Sequence, residues 1–256
     1  MRYLRFQESA GAIKNGWMLG DKVGEIEGDI FGEFRRKEAT IELSSVKLLP
    51  PIKPSKIIGV GKNYMGHVKE MGGELPDSPP IFLKPNSSII GHKDRIMLPP
   101  QSNRVEHEAE LAVVIGKQGK WINTLEVESH IFGYTCAADI TARDLQIKDG
   151  QWTRAKAFDT FCPLGPWIET ELDVSDALIT CRVNNEIRQM VSTREMIYTV
   201  NQLVVFLSSI MTLLPGDVIL TGTPAGVSVI NPGDTLVIDI EGIGVLENSV
   251  VTSSAS

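Results

Sequence analysis

The sequence lacks the features that mark secreted, membrane-spanning and nucleic-acid-binding proteins. Three of its 256 residues are cysteines, and Cys136, Cys162 and Cys181 form no C-x-x-C pair. This number and spacing argue against a disulfide framework and predict a protein of the reducing cytoplasm. The first residues contain no apolar stretch long enough to predict a signal peptide.

Long apolar runs and an excess of basic charge are also missing. The longest apolar segment, residues 203–214, is too short to cross a membrane and is interrupted by serine and threonine. Its apolar spacing instead predicts one amphipathic helix near residues 196–214. The 25 basic and 32 acidic residues give a net charge of −7, and no basic stretch stands out. We therefore expect neither a nucleic acid nor a membrane as a partner.

Short alternating apolar segments predict a mostly β protein with a few helices, of the α+β class. Residues 1–52 contain strand candidates between glycine turns, which indicates a small β-rich N-terminal domain. Pro50, Pro51 and Pro54 predict a stiff boundary before a larger domain of residues 53–256. Two further helices are predicted, one after Asp139 and a short one at residues 67–71.

Two strand candidates carry acidic residues beside their apolar ones. Glu108 and Glu110 lie two residues apart, so their side chains project from one face of a strand, and Asp139 ends the apolar run 131–138. A buried carboxylate needs a compensating cation, and ligation by oxygen alone favours Mg²⁺, Mn²⁺ or Ca²⁺. We predict a divalent-metal site at these three residues, the alternative being a solvated strand edge. His107 projects from the opposite face and is interpreted as structural.

Four further features have both a chemical and an ordinary interpretation. His67 and Glu70 are three residues apart, so in a helix the carboxylate can orient the imidazole as a general base; such pairs are also common on inert helices. Lys156 and Lys84 could hold a substrate carboxylate or an enolate oxygen, or could be surface charges. Thr223 follows an apolar strand and could hold a substrate carboxylate or an oxyanion through its hydroxyl or nearby backbone N–H groups.

Taken in order, these segments closely resemble the fumarylacetoacetate hydrolase family. The resemblance covers residues 55–245 and rests on Gly61–Tyr64 with His67 and Glu70, Phe82–Pro85, Glu108–Lys117, Asp139–Gln146, Lys156 and Thr221–Val227. It implies a mixed β-roll catalytic domain of the fumarylacetoacetate hydrolase C-terminal type behind a small N-terminal domain. It also implies a homodimer.

The resemblance also assigns roles to individual residues. It implies that Mg²⁺, or Mn²⁺ in its place, is held by Glu108, Glu110 and Asp139. It implies that His67 and Glu70 form a catalytic dyad on a mobile lid, as in the acylpyruvate hydrolases and oxaloacetate decarboxylases. The residues implied to contact metal-bound substrate or water are Arg143, Gln146, Lys156 and Thr223.

The expected substrate is therefore a small 2-oxo or 2,4-dioxo acid. It would chelate the metal, and one of its C–C bonds would be cleaved through a metal-stabilised enolate, as in acylpyruvate hydrolysis. Oxaloacetate decarboxylation, and isomerisation or decarboxylation of unsaturated dioates in aromatic catabolism, share these motifs and remain alternatives. The alternative of another class is a non-catalytic oligomeric module that binds a metal or a dicarboxylate, which would not require His67, Glu70 or Lys156.

Overall fold

The chain folds mainly into β-strands, with a few helices, which confirms the predicted α+β class. A computed structural model describes residues 1–9 and 11–253. The strands of the first half are β1 (Arg2–Glu8), β2 (Ile13–Leu19), β3 (Lys22–Gly28), β4 (Phe34–Arg36), β5 (Ile41–Glu42), β6 (Val46–Leu49), β7 (Ile57–Val60), β8 (Ile81–Lys84), β9 (Ile89–Ile90), β10 (Arg95–Leu98), β11 (Val105–His107) and β12 (Ala109–Ile115). Those of the second half are β13 (Ile131–Ala138), β14 (Thr141–Ala142), β15 (Cys162–Glu169), β16 (Leu178–Val183), β17 (Glu186–Ser192), β18 (Val218–Leu220), β19 (Ser228–Val229), β20 (Thr235–Ile240) and β21 (Gly244–Thr252).

The helices are short and lie between the strands. They are α1 (Met65–Glu70), α2 (Val127–His130), α3 (Arg143–Asp149), α4 (Thr153–Lys156) and α5 (Val200–Ile210). Single 3₁₀ turns occupy Leu43–Ser45, Asn86–Ser88, Thr124–Glu126 and Thr193–Glu195. No helix of the described residues is both long and apolar enough to cross a membrane.

The strands of residues 1–9 and 11–253 form one large sheet and two smaller ones. The large sheet has thirteen strands in the order β4-β3-β2-β1-β15-β13-β12-β18-β7-β8, with β5, β6 and β9 attached at its side. A five-stranded sheet has the order β10-β21-β20-β16-β17, and a three-stranded sheet has the order β14-β11-β19. The consecutive strands β11 and β12 therefore belong to different sheets, and Glu108 is the residue between them.

The N-terminal strands continue the large sheet. Strand β1 pairs antiparallel with β15, with Arg2 opposite Glu169, and the terminal ammonium of Met1 lies 2.9 Å from the Glu169 carboxylate. The division into domains of residues 1–52 and 53–256 stays a prediction.

Strand β12 is buried along its whole length because β13 and β18 flank it and apolar side chains cover both of its faces. Leu111, Val113 and Ile115 pack into one apolar cluster, and Ala112 and Val114 pack into another on the opposite face. Such alternation between two apolar faces is expected of a central strand. The first residues of β12 are thereby held in the interior, where carboxylates are costly to place.

Helix α5 is shorter than the predicted segment 196–214. It begins after Thr199, whose side chain accepts the Gln202 N–H in a capping box, and it ends at Ile210. Beyond it, Leu213 forms an isolated β-bridge with Gly119. Local caps and a long-range bridge thus set the two ends, which apolar spacing alone does not show.

Candidate active site

Three buried carboxylates meet at the junction of β11, β12 and β13. Glu108, Glu110 and Asp139 are 4%, 2% and 1% exposed, and one carboxylate oxygen of each lies within 4.8 Å of the others. The strand register brings them together, because Ala109 of β12 lies opposite Ala138 of β13. Beyond that pair, the Asp139 N–H donates to the Glu108 carbonyl at 2.9 Å.

Two of these acids have cationic partners. The Lys156 ammonium donates to Glu108 at 2.7 Å and to Asp139 at 2.6 Å, and Arg143 also binds Glu108. Burial alone would raise the pKa of Glu108, but the charges of Lys156 and Arg143 outweigh it and hold that pKa below its ordinary value. Burial lowers the pKa of Lys156, and the charges of Asp139 and Glu108 more than reverse this, so it stays an ammonium. Lys84 donates to the second oxygen of Asp139 at 2.5 Å.

The third acid lacks such a partner. Among the described residues, Glu110 forms no ion pair, and its carboxylate accepts the backbone N–H of Gly222 at 2.6 Å. Burial, reinforced by the charges of Asp139 and Glu108, raises the pKa of Glu110 well above its ordinary value. Burial and the neighbouring acids therefore disfavour the charged form of Glu110 unless a further cation is present. A divalent cation with a preference for oxygen fits this donor set and would stabilise the charged form of Glu110.

Arg143 is held in place by a fourth buried acid. Its Nε donates to Glu106 at 2.7 Å, while its other nitrogens donate to Glu108 and Gln146. Glu106 lies two residues before Glu108, and sequence spacing alone does not show its role because Arg143 is 37 residues away. Arg143 and Gln146 thus form one rigid edge of the site.

His67 and Glu70 form the pair that their spacing predicts. Helix α1 brings the His67 Nδ1 to 3.0 Å from one Glu70 oxygen, and the other oxygen accepts the Gly226 N–H at 2.9 Å. Gly226 has φ +102°, and a side chain there would collide with the Arg188 carbonyl, so glycine suits this contact. The carboxylate thereby connects α1 to the loop after β18. An imidazole bonded through Nδ1 presents its Nε2 for proton transfer.

A cavity of about 70 Å³ lies between these groups. Eight of the ten predicted site residues line it: His67, Glu108, Glu110, Asp139, Arg143, Gln146, Lys156 and Thr223. The other two do not line it. Glu70 contacts His67, and Lys84, predicted to contact substrate, has a fully buried side chain that contacts Asp139. The structure thus places Lys84 in contact with Asp139 rather than at the cavity surface.

Part of the cavity wall was not predicted. Phe82 and Trp152 line it and pack edge to face, with ring centroids 5.5 Å apart. The Lys156 ammonium lies 5.1 Å from the centroid of the Phe82 ring, a favourable cation–π distance. Lys62 also lines the cavity, in a left-handed backbone conformation with φ +54°. A non-glycine residue at positive φ is uncommon and tends to occur at functional sites.

The hydroxyl of Thr223 already makes two hydrogen bonds within the protein. It donates to the Ala109 carbonyl at 2.9 Å and accepts from the Gln189 amide at 2.8 Å. A threonine has one hydroxyl hydrogen, so towards a substrate this group can only accept. His107, interpreted as structural, is buried and bonds to Gln189 and Ser228. Burial lowers the pKa of His107 to about 4, which keeps the ring neutral at pH 7.

This fold and this arrangement of acids define an enzyme family. The fumarylacetoacetate (FAA) hydrolase C-terminal family matches residues 56–251, and the Rv2993c-like N-terminal family matches residues 1–51. The chain belongs to the fumarylacetoacetate hydrolase family, as its motifs predicted.

Relatives in this family have several activities. The mitochondrial oxaloacetate tautomerase FAHD2A of Homo sapiens is 45% identical over 221 residues, which cover 81% of this chain and 70% of that protein. The structure of 5-carboxymethyl-2-hydroxymuconate delta-isomerase from Mycobacterium smegmatis is 46% identical with a TM-score of 0.91, and the match covers 99% of this chain and 100% of that one. The maleylpyruvate hydrolase of Sphingobium sp. SYK-6, solved with manganese(II) and pyruvate, is 30% identical with a TM-score of 0.82 and the same coverage.

Proposed function

We propose that this chain is a divalent-metal-dependent enzyme that acts on small 2-oxo acids, with hydrolysis of acylpyruvates as its reaction. The observation that carries the proposal is that three buried carboxylates and His67 line the same cavity. A non-catalytic binding module would have no need of the His67–Glu70 pair beside the acids.

Glu108, Glu110 and Asp139 would hold the metal, with Mg²⁺ or Mn²⁺ as the candidates. When bound, such an ion supplies Lewis-acid stabilisation of negative charge on the carboxylate and 2-oxo oxygens of the substrate. The manganese in the maleylpyruvate hydrolase structure supports this proposal. The buried carboxyl group of Glu110, which has no cationic partner among the described residues, supports it from this chain's own residues.

The other side chains would bind substrate and move protons. Lys156 places an ammonium beside the acids, where it stabilises an enolate oxygen by charge. Gln146 and Arg143 would contact the substrate from one side of the cavity. The rings of Phe82 and Trp152 would exclude water on another side.

His67 would act as the base, with Glu70 fixing its ring. It takes a proton from a water molecule, whose oxygen attacks the distal carbonyl carbon of a 2,4-dioxo acid. The bond from that carbon to C3 then breaks, and its electron pair leaves as the pyruvate enolate. The proton on His67 returns to C3, which gives pyruvate and a carboxylic acid.

Oxaloacetate tautomerisation is the second candidate, and two observations favour it. One is the 45% identity to a named oxaloacetate tautomerase. The other is Lys62, which lines the cavity and forms no ion pair among residues 1–9 and 11–253. An ammonium without a partner could hold the second carboxylate of oxaloacetate, while His67 moves a proton between C3 and the 2-oxo oxygen.

The test is to supply the protein with Mn²⁺ or Mg²⁺ and assay both substrates. Pyruvate release from acetylpyruvate and enol–keto exchange of oxaloacetate are followed with metal, with chelator, and for H67A. We expect activity that is lost with chelator and falls at least hundredfold in H67A. Activity that persists after complete metal removal would overturn the metal proposal, and inactivity on both substrates would overturn the substrate proposal.

A further inference from the structure

Gln189 makes four hydrogen bonds from a buried position behind the candidate site. It belongs to β17, an edge strand of the five-stranded sheet, and is 1% exposed. Its Oε1 accepts from Ala109 N–H and faces His107 Nδ1, both at 3.1 Å. Its Nε2 donates to the Thr223 hydroxyl and to the Pro224 carbonyl, both at 2.8 Å. These four bonds use the full capacity of a glutamine amide.

The directions of these bonds follow from the Pro224 carbonyl, which can only accept. It fixes the NH₂ group of Gln189 on its own side and leaves the amide oxygen to face His107. His107 Nδ1 must therefore carry a hydrogen, and its Nε2 accepts from the Ser228 hydroxyl at 2.8 Å. Each member of the network has one orientation that satisfies all of its partners, which makes it rigid.

The network ends on the residue that separates the two glutamates. The Ala109 N–H donates to Gln189, and the Ala109 carbonyl accepts the Thr223 hydroxyl. Here the chain passes from β11 in one sheet to β12 in another. Two side chains, joined to each other, thus bind both backbone polar groups of Ala109, and the carboxylates of Glu108 and Glu110 depend on this short segment for their spacing.

We propose that Gln189 is a positioning residue that fixes the relative placement of Glu108 and Glu110 through Ala109 and Thr223. The inference rests on the proposed function, in which those glutamates hold the metal. Gln189 touches neither the cavity nor the metal ligands' carboxylates, so it acts through the backbone. Groups that orient metal ligands without contacting the ion commonly change metal affinity or activity by 10–100-fold.

The test replaces Gln189 with methionine, which has a similar length but no amide, and uses S228A as the matched control. S228A removes the outermost bond of the network and leaves both bonds to Ala109 intact. Calorimetric titration with Mn²⁺ alone should show about tenfold weaker binding for Q189M and wild-type binding for S228A. Hydrogen exchange of the Ala109 amide, measured on metal-free protein, should be faster in Q189M and unchanged in S228A.

A second variant covers the case in which Q189M does not fold. T223V removes the hydroxyl but keeps the shape of the side chain, and it should also weaken Mn²⁺ binding. If both residues act through their shared hydrogen bonds to Ala109, adding Q189M to T223V should cause little further loss of Mn²⁺ affinity. Wild-type Mn²⁺ binding by a folded Q189M would overturn the proposal. If Q189M does not fold, wild-type binding by T223V would overturn it. Failure of the wild type to bind Mn²⁺ would overturn the proposed function instead, and the exchange of Ala109 would then decide the positioning role.

Discussion

Glu70 accepts the backbone N–H of Gly226 at 2.9 Å while its second oxygen faces His67 at 3.0 Å. One carboxylate therefore both docks α1 against the loop after β18 and orients the imidazole. We predict that E70Q lowers kcat by roughly tenfold to hundredfold, because the neutral amide supports a protonated imidazole less well. Mn²⁺ affinity, measured by calorimetry, should be unchanged because Glu70 does not line the metal cluster. A parallel loss of metal binding in E70Q would contradict this division of roles.

Glu110 differs from its two neighbours because no lysine or arginine pairs with it among the described residues. We predict that E110Q weakens Mn²⁺ binding by at least roughly a hundredfold, since a ligand charge is lost. In metal-free protein the same change should alter the free energy of unfolding by less than about 1 kcal/mol, because burial and the neighbouring acids already disfavour the charged form of Glu110. Chemical denaturation in chelator measures this value.

E108Q is the matched control for E110Q. Glu108 accepts from Lys156 and Arg143, so its neutralisation removes one of the two carboxylate partners of each buried cation and should destabilise the metal-free protein by about 3 kcal/mol. The two substitutions make the same chemical change, yet E108Q should destabilise the metal-free protein much more than E110Q. Equal destabilisation by both would show that Glu110 is charged and paired in the metal-free protein.

Lys62 distinguishes the two substrate candidates. We predict that K62M lowers kcat/KM for oxaloacetate by roughly tenfold, because a charged contact to the distal carboxylate is lost. Acetylpyruvate has no second carboxylate, so its kcat/KM should change by less than about threefold. K69M, on the same segment but outside the cavity lining, serves as the control. An equal loss on both substrates would assign Lys62 a role in the shape of the loop instead.

The sequence predicts contacts that are local along the chain better than those between sheets. His67 and Glu70 pair because they are three residues apart in α1, and Glu108 and Glu110 share a face because strands alternate. Gln189 is 80 residues from Ala109, and the packing of the five-stranded sheet against the large one sets that contact. No periodicity within either strand carries this information.

Position relative to the cavity, rather than residue type or burial, separates the roles of two buried lysines. Sequence alone predicts the same role for Lys84 and Lys156, and both bind Asp139. Of the two, only Lys156, the last residue of α4, lines the cavity, whereas Lys84, the last residue of β8, does not. The side from which each side chain reaches Asp139 depends on the strand order β18-β7-β8, which cannot be derived from one sequence.

His92, which lies away from the site, should make the free energy of unfolding depend on pH. Half-buried before β10, it accepts the Glu247 N–H at 3.2 Å through Nδ1. Burial, and then the charge of Lys93, lower the pKa of His92 below its ordinary 6.5. Between the folded pKa and 6.5 the unfolded chain binds the extra proton, so this contribution is complete above pH 6.5 and declines as pH falls. H92Q should flatten the decline between pH 7 and 5 by at most about 1.4 kcal/mol per pH unit.

The measurement is urea denaturation from pH 8 to pH 5, with wild type and H92Q compared at each pH. Subtraction of the two curves removes every other titrating group and leaves the contribution of His92. K93N removes the second cause of the shift and keeps a residue that tolerates the φ of +66° at this position. It should produce a smaller flattening in the same pH range, because burial, the larger cause, remains. Parallel curves for wild type and H92Q would show that His92 titrates alike in the folded and unfolded chains.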